Sequence, residues 1–173
     1  EVFHEAEPAG VTHSVIRMWI TGDRVEEYEK KTIEIADTAG NKLRLHFDAD
    51  KNSTWSGTRA AGPSPARGFG PVTTQLWVGL KNHSEKTGED AQKGIVDEIH
   101  KALLIAESEP LVALRHQTAE TSVALFQDIG GPLGNTHIMD VDSGRLASSA
   151  LSDIFRFSRM GGEPTAECTS IFV

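Results

Sequence analysis

The sequence predicts an α+β domain, a mostly antiparallel sheet with one main helix packed on a face. Three observations carry this reading. Apolar residues alternate with polar ones in run after run along the 173 residues, which is the period of a half-buried strand. Gly, Pro, Asn and Asp punctuate the gaps between the runs. One stretch alone, Glu89 to Ala106, switches to a spacing of four and reads as a helix. Strands dominate, and the single helix has a sheet face to cover.

Residues 1–13 carry Glu1, Glu5, Glu7, Pro8 and Gly10 with few apolar anchors and read as an exposed N-terminal arm. Residues 14–160 read as one domain, opening on the strand formers Val15 to Ile20 and a turn at Thr21-Gly22-Asp23. Ile33 and Ile35, then Leu43, Leu45 and Phe47, alternate with polar neighbours around Asp37-Thr38-Ala39-Gly40-Asn41, which predicts a hairpin with one apolar face. Residues 48–71 break all periodicity and read as a long loop. It carries Trp55, Arg59, Arg67 and Phe69, of which Trp and Arg are the types enriched where proteins bind each other. Val72 to Leu80 returns to strand character, with Leu76, Val78 and Leu80 on one face and Trp77 on the other.

Thr87 stands where a helix N-cap is expected, and Glu89 and Asp90 favour the positive end of the helix that follows. Ile95, Ile99, Leu103 and Ala106 form its apolar stripe, and Pro110 bars continuation. Leu111 to His116 and Thr121 to Phe126 read as strands, Asp128 to Asn135 as a loop, and His137 to Val141 as a short strand before an acidic turn ending at Gly144. Leu151 to Phe157 resumes alternation. Residues 161–173 form a C-terminal tail ending on Ile171-Phe172-Val173, apolar residues with no evident partner inside the domain.

Composition narrows the function. Hydrophobic residues make up 38% and charged residues 24%, a globular balance. A net charge of −8 argues against tight phosphate binding, because a free-standing nucleic-acid binder is normally basic. No run approaches the roughly 20 apolar residues of a membrane span. A single cysteine, Cys168, excludes an intrachain disulfide, and Glu167 beside it disfavours a reactive thiolate.

The search for chemistry finds no assembled set. The seven histidines include no H-x-x-x-H pair and no neighbouring C-x-x-C, so metal ligation has little support. Asp97, Glu98 and His100 hint at an acid–base cluster. On a helix, however, adjacent positions diverge by about 100°, and a solvated charged face is expected. Asp140-x-Asp142-x-Gly144 resembles the start of a calcium loop but fails at the fifth, sixth and twelfth positions, so a plain turn is expected. Neither a nucleophile elbow nor a phosphate-binding glycine loop is present. The expectation is a non-enzymatic protein without catalytic residues, metal or cofactor.

From Val72 onward the chain resembles the tail-terminator and tail-completion proteins of long-tailed bacteriophages and gene-transfer agents. The resemblance rests on Thr74-Gln75-Leu76-Trp77-Val78 as the strand before the helix and on Glu89 to Ala106 as that helix. Asp140-x-Asp142-x-Gly144 with Ser148-Ser149-Ala150-x-Ser152 and the strand to Phe157 looks like the closing hairpin. The family usually opens with a helix, where this chain has an acidic arm and strands. The resemblance implies a virion protein, made in the host cytoplasm. It would form a ring homo-oligomer, a hexamer, that caps the tail tube and joins it to the neck. DNA would pass through the lumen without specific binding, past an acidic wall that discourages adhesion. The long loop and the termini would then make the assembly contacts, through Trp55, Arg59, Arg67, Phe69, Ile171 and Phe172. Two alternatives stand beside this reading: another neck or tail component of the same fold, and a small ligand-binding or enzymatic α+β domain.

Overall fold

The computed structural model describes residues 13–52, 55–60, 73–108, 114–130 and 136–160. Among them the strands fall into two sheets. Strand β1 (His13–Ile20) shows why. Its burial alternates, with Ile16, Met18 and Ile20 turned into the core and Val15, Arg17 and Trp19 turned out. It pairs antiparallel with β7 (Ser122–Gly130) on one side and with β9 (Phe155–Met160) on the other. With β6 (Leu114–Ala119) these make a four-stranded antiparallel sheet in the order β6-β7-β1-β9.

The second sheet, with β4 (Trp55–Ala60) at one end, has the order β4-β5-β3-β2-β8. Strands β2 (Thr32–Ala36) and β3 (Lys42–Asp48) form the expected hairpin, Ile33 opposite Leu45 and Ile35 opposite Leu43. Asp37 shapes its turn: one carboxylate oxygen accepts the Ala39 and Asn41 amides, each at 2.9 Å. Strand β5 (Thr73–Gly79) lies parallel to β3, and β8 (Met139–Asp140) closes the far edge against β2. Leu76, Val78 and Leu80 are buried, as their alternation predicts.

Helix α1 (Gly88–Ser108) lays Ile95, Val96, Ile99, Ala102, Leu103 and Ala106 onto the apolar faces of both sheets. One continuous cluster of buried side chains joins the two sheets and the helix, and Tyr28, Phe47 and Phe155 are its aromatic centre. The class is therefore α+β, antiparallel-rich with one main helix, and the strands divide between two sheets rather than filling one.

Two local expectations are corrected. The stretch 48–71 is not loop throughout, because Trp55–Ala60 forms strand β4, antiparallel to β5. Sequence patterning missed it because Ser, Gly, Thr and Arg fill most of its positions and an edge strand needs no apolar alternation. The expected closing hairpin between Asp140 and Phe157 also does not form. Residues 147–150 make a helical turn, α2 (Ala147–Ala150), and Leu151 to Ile154 are turn. Strand β8 then joins one sheet and β9 the other. Leu151 and Ile154 are buried because they anchor that turn in the core, and the alternation begins at Phe155 in β9. The arm at 1–12 and the tail at 161–173 lie outside the described residues, while His13 already belongs to β1.

Tyr28 fastens the start of the second sheet to the first. Its hydroxyl accepts the Gly22 amide at 2.8 Å and lies 3.2 Å from the carbonyl oxygens of Gly22 and Ile154. Burial pushes the phenol pKa well above its ordinary value. The folded protein thus holds this proton more tightly than the unfolded chain does. The resulting stability is complete below about pH 10, the ordinary tyrosine value, and is lost as pH rises beyond it. Tyr28→Phe is expected to cost about 1–3 kcal/mol at neutral pH, because the Gly22 amide keeps only its longer 3.3 Å bond to Ile154 O and the buried carbonyls of Gly22 and Ile154 lose the hydroxyl. The variant is also expected to lose part of the alkaline fall in stability, which thermal melting on both sides of about pH 10 would reveal.

Candidate functional site

The outward face of the four-stranded sheet gathers arginine around tryptophan. Trp19 on β1 stands directly across from Arg156 on β9, whose guanidinium carbon lies 4.2 Å from the indole centroid. Arg17, two positions earlier on the same face, lies 5.9 Å from that centroid and donates from Nη1 to Ser122 Oγ at 2.9 Å. Half-buried Val15 and Phe126 extend the face toward exposed Arg115 on β6. None of the side chains described on this face is a carboxylate. Stacking on the indole pre-orders the guanidiniums and leaves their edges for an acceptor. Trp and Arg are also the residues that dominate binding energy in protein interfaces.

The end of the molecule beside this face is acidic. The backbone brings it together: the Ile20 amide donates to Thr121 O, the Thr21 amide to Ile154 O and the Gly88 amide to Asp23 O. Exposed Asp23, Glu27, Glu89, Asp90, Glu120 and Asp153 therefore share one end, where β1 finishes and α1 begins. Lys93 lies among them, and its pKa is raised first by the hydrogen bond to Glu89 and then by the charges of Glu89, Glu120 and Asp90. A protein of net charge −8 thus carries a cationic aromatic face next to an acidic end.

Of the residues singled out in the sequence, Trp55 and Arg59 lie on β4, the outer strand of the five-stranded sheet. They register with Trp77 and Thr74 of β5, across an irregularity between Ser56 and Arg59. Strand β4 has β5 as its one neighbour among the described residues, so its other edge is open there to a further strand. Arg67, Phe69, Ile171 and Phe172 lie outside the described residues. Sequence reading passed over Arg17, Trp19 and Arg156. The signal was present in the outward positions of β1, Val15, Arg17 and Trp19, which are not the small polar residues of an ordinary solvated face.

Other polar clusters have structural explanations. Glu98, expected on a solvated face, is buried at 2% exposure. The 3-10 turn Lys81–His83 folds over α1 and brings His83 Nε2 to 3.0 Å from Glu98 Oε2, where Lys101 Nζ also donates at 3.0 Å. His100 Nδ1 lies 2.7 Å from His116 Nε2, and His116 Nδ1 contacts Glu107, a chain that ties α1 to β6. His46 stacks on Trp77 at 4.5 Å between ring centroids, with Thr32 and Gln75 on its two nitrogens. That pair lines a recess of about 340 Å³ bordered by Glu29, Asp48 and Asp50. Glu29 accepts the Lys30 and Ala49 amides and Asp48 the Asp50 amide, so these carboxylates serve the local turns. The motif at Asp140 is the plain turn expected: Asp140 accepts the Ser143 hydroxyl at 2.7 Å, and Gly144 takes the left-handed backbone at φ 69°.

No protein-family model matches the chain, and neither a curated protein nor a solved structure matches it. Among the described residues, no helix is long and apolar enough to cross a membrane.

Proposed function

We propose that this chain is a structural virion subunit that assembles with copies of itself into a ring of the phage tail-terminator type, capping the tail tube and joining it to the neck. One observation supports self-assembly most strongly, the cationic face around Trp19 beside the acidic end at Asp23, Glu89 and Glu120. Two complementary surfaces on one chain permit a heterologous contact, in which each copy offers one surface to one neighbour and the other surface to the next. Such contacts close into rings when the rotation between copies allows. The edge of β4 that is unpaired among the described residues, on the strand carrying Trp55 and Arg59, offers a further place for main-chain pairing.

Native mass spectrometry at micromolar concentration, with negative-stain imaging, tests the reading. A closed ring is expected, with six copies as the reading's stoichiometry. A monomer at that concentration would refute it. Alanine at Trp55 and Arg59 is expected to weaken assembly, and unchanged assembly would remove β4 from the contact. The recess beside His46 and Trp77 favours a second reading, a ligand-binding α+β domain. A monomer that binds a polar small molecule there would support that reading instead.

A further inference from the structure

A cavity of about 290 Å³ opens where β9 leaves the core. On the core-facing side of β9, Phe155 and Phe157 are followed by Arg159, which sits directly across from Ile16. The row that is aromatic deep in the core thus ends on a guanidinium. Ile16, Ile138, Leu146 and Phe157 supply the apolar lining, with His137 beside them. Leu146 is 40% exposed, one of two large apolar side chains left open to solvent among the described residues.

Arg159 is the anomaly. Its Nη2 is shut off from solvent and has no hydrogen-bond partner among the described residues, while the side chain as a whole is part-buried and lines the cavity. Burial lowers the pKa of the group, in the direction that desolvation of a cation requires. A buried polar group without a partner is unfavourable, and more so when it carries charge. A guanidinium donates in a fixed planar fork that matches a carboxylate. Ser148 and Ser158 complete the lining, and a largely apolar wall with a few polar groups and one guanidinium is the composition of a small-molecule site; the volume is near the lower bound of such sites, about 300 Å³.

The geometry points to a binding site for a small monocarboxylate with an apolar body, its carboxylate on Arg159 and its body on Ile16, Ile138, Leu146 and Phe157. The site stands apart from the cationic outer face and does not depend on self-assembly. Titration calorimetry with hexanoate, hexan-1-ol and acetate tests it on the whole chain. Hexanoate is expected to bind at least about tenfold more tightly than the alcohol or acetate, since it alone satisfies both the lining and the arginine. Arg159→Met is expected to bring hexanoate down to the level of the alcohol. The same variant is expected to melt no lower than the unsubstituted protein, because an unpaired buried nitrogen has been removed, and a clearly lower melting temperature would count against the site. Leu146→Trp, on the rim, is expected to abolish hexanoate binding with Arg159 intact. The inference is overturned if hexanoate binds no more tightly than hexan-1-ol, if Arg159→Met keeps the preference, or if Leu146→Trp leaves binding unchanged.

Discussion

Glu98→Ala is expected to cost about 1–3 kcal/mol of folding stability, the range for leaving a buried hydrogen-bonding group without its partner. The Glu98 side chain is 2% exposed and accepts from both His83 and Lys101. Lys101 is 58% exposed and can return to water, so most of the loss falls on His83. Lys86 Nζ lies 2.9 Å from His83 Nδ1 and donates to it, so the ring proton sits on Nε2 and points at Glu98. Without the carboxylate, that N–H is buried and unpaired.

Gly94→Ala strikes the same contact from the other side. A Cβ at residue 94 would lie 2.6 Å from His83 Cγ, closer than packed atoms allow. Alanine favours a helix over glycine by about 1 kcal/mol. Overpacking against a held ring costs about 1–3 kcal/mol, and we expect it to win. The double variant should lose less than the sum of the two, because both act through His83. Urea denaturation measures all three. A Glu98→Ala protein within about 0.5 kcal/mol of the original would show that the pair does not hold the turn to the helix.

The contrast between Glu98 and Ile95 shows what the sequence could reveal. Ile95, Ile99 and Leu103 announce their burial through spacing alone. Glu98 lies off that stripe, and its burial depends on His83 arriving from fifteen residues earlier in the chain. Long-range pairing leaves no periodic signal. The same limit applies to the strands: the β2–β3 hairpin was legible from alternation around a turn, whereas the placement of β8 and β9 in different sheets depends on the path of the chain through α2. The candidate site was half legible. Trp55 and Arg59 were read from residue type, and they lie on β4, the outer strand of its sheet among the described residues. Trp19, Arg17 and Arg156 become one patch only once β9 lies against β1.

Reversing Arg17 and Arg156 together to glutamate is expected to weaken self-association by at least about 100-fold, equivalent to about 2.7 kcal/mol. Truncating one partner of a close interfacial charge pair typically costs about 2–5 kcal/mol, and here two charges change sign at the centre of the face. Fold stability should fall by about 1–3 kcal/mol in all, since both guanidiniums lie on the outward side of the sheet but lose their contacts to Trp19 and, for Arg17, to Ser122. Each loses a cation–π contact worth about 0.5–2 kcal/mol at most. Sedimentation velocity of the folded variant measures the effect. Assembly of the unsubstituted protein should itself weaken as salt rises through about 0.1–1 M, since screening acts on this contact first.

A mixing experiment tests self-assembly through this contact most directly. One variant carries Arg17→Glu and Arg156→Glu, and the other carries Glu89→Lys and Asp90→Lys at the acidic end. Each chain alone should sediment as a monomer. Mixed in equal amounts, the acidic end of the first should seat on the intact cationic face of the second, and native mass spectrometry should show mixed assemblies with equal numbers of the two chains, since the reversed surfaces also oppose each other in sign. Homo-oligomers from either variant alone, or monomers alone in the mixture, would contradict the contact.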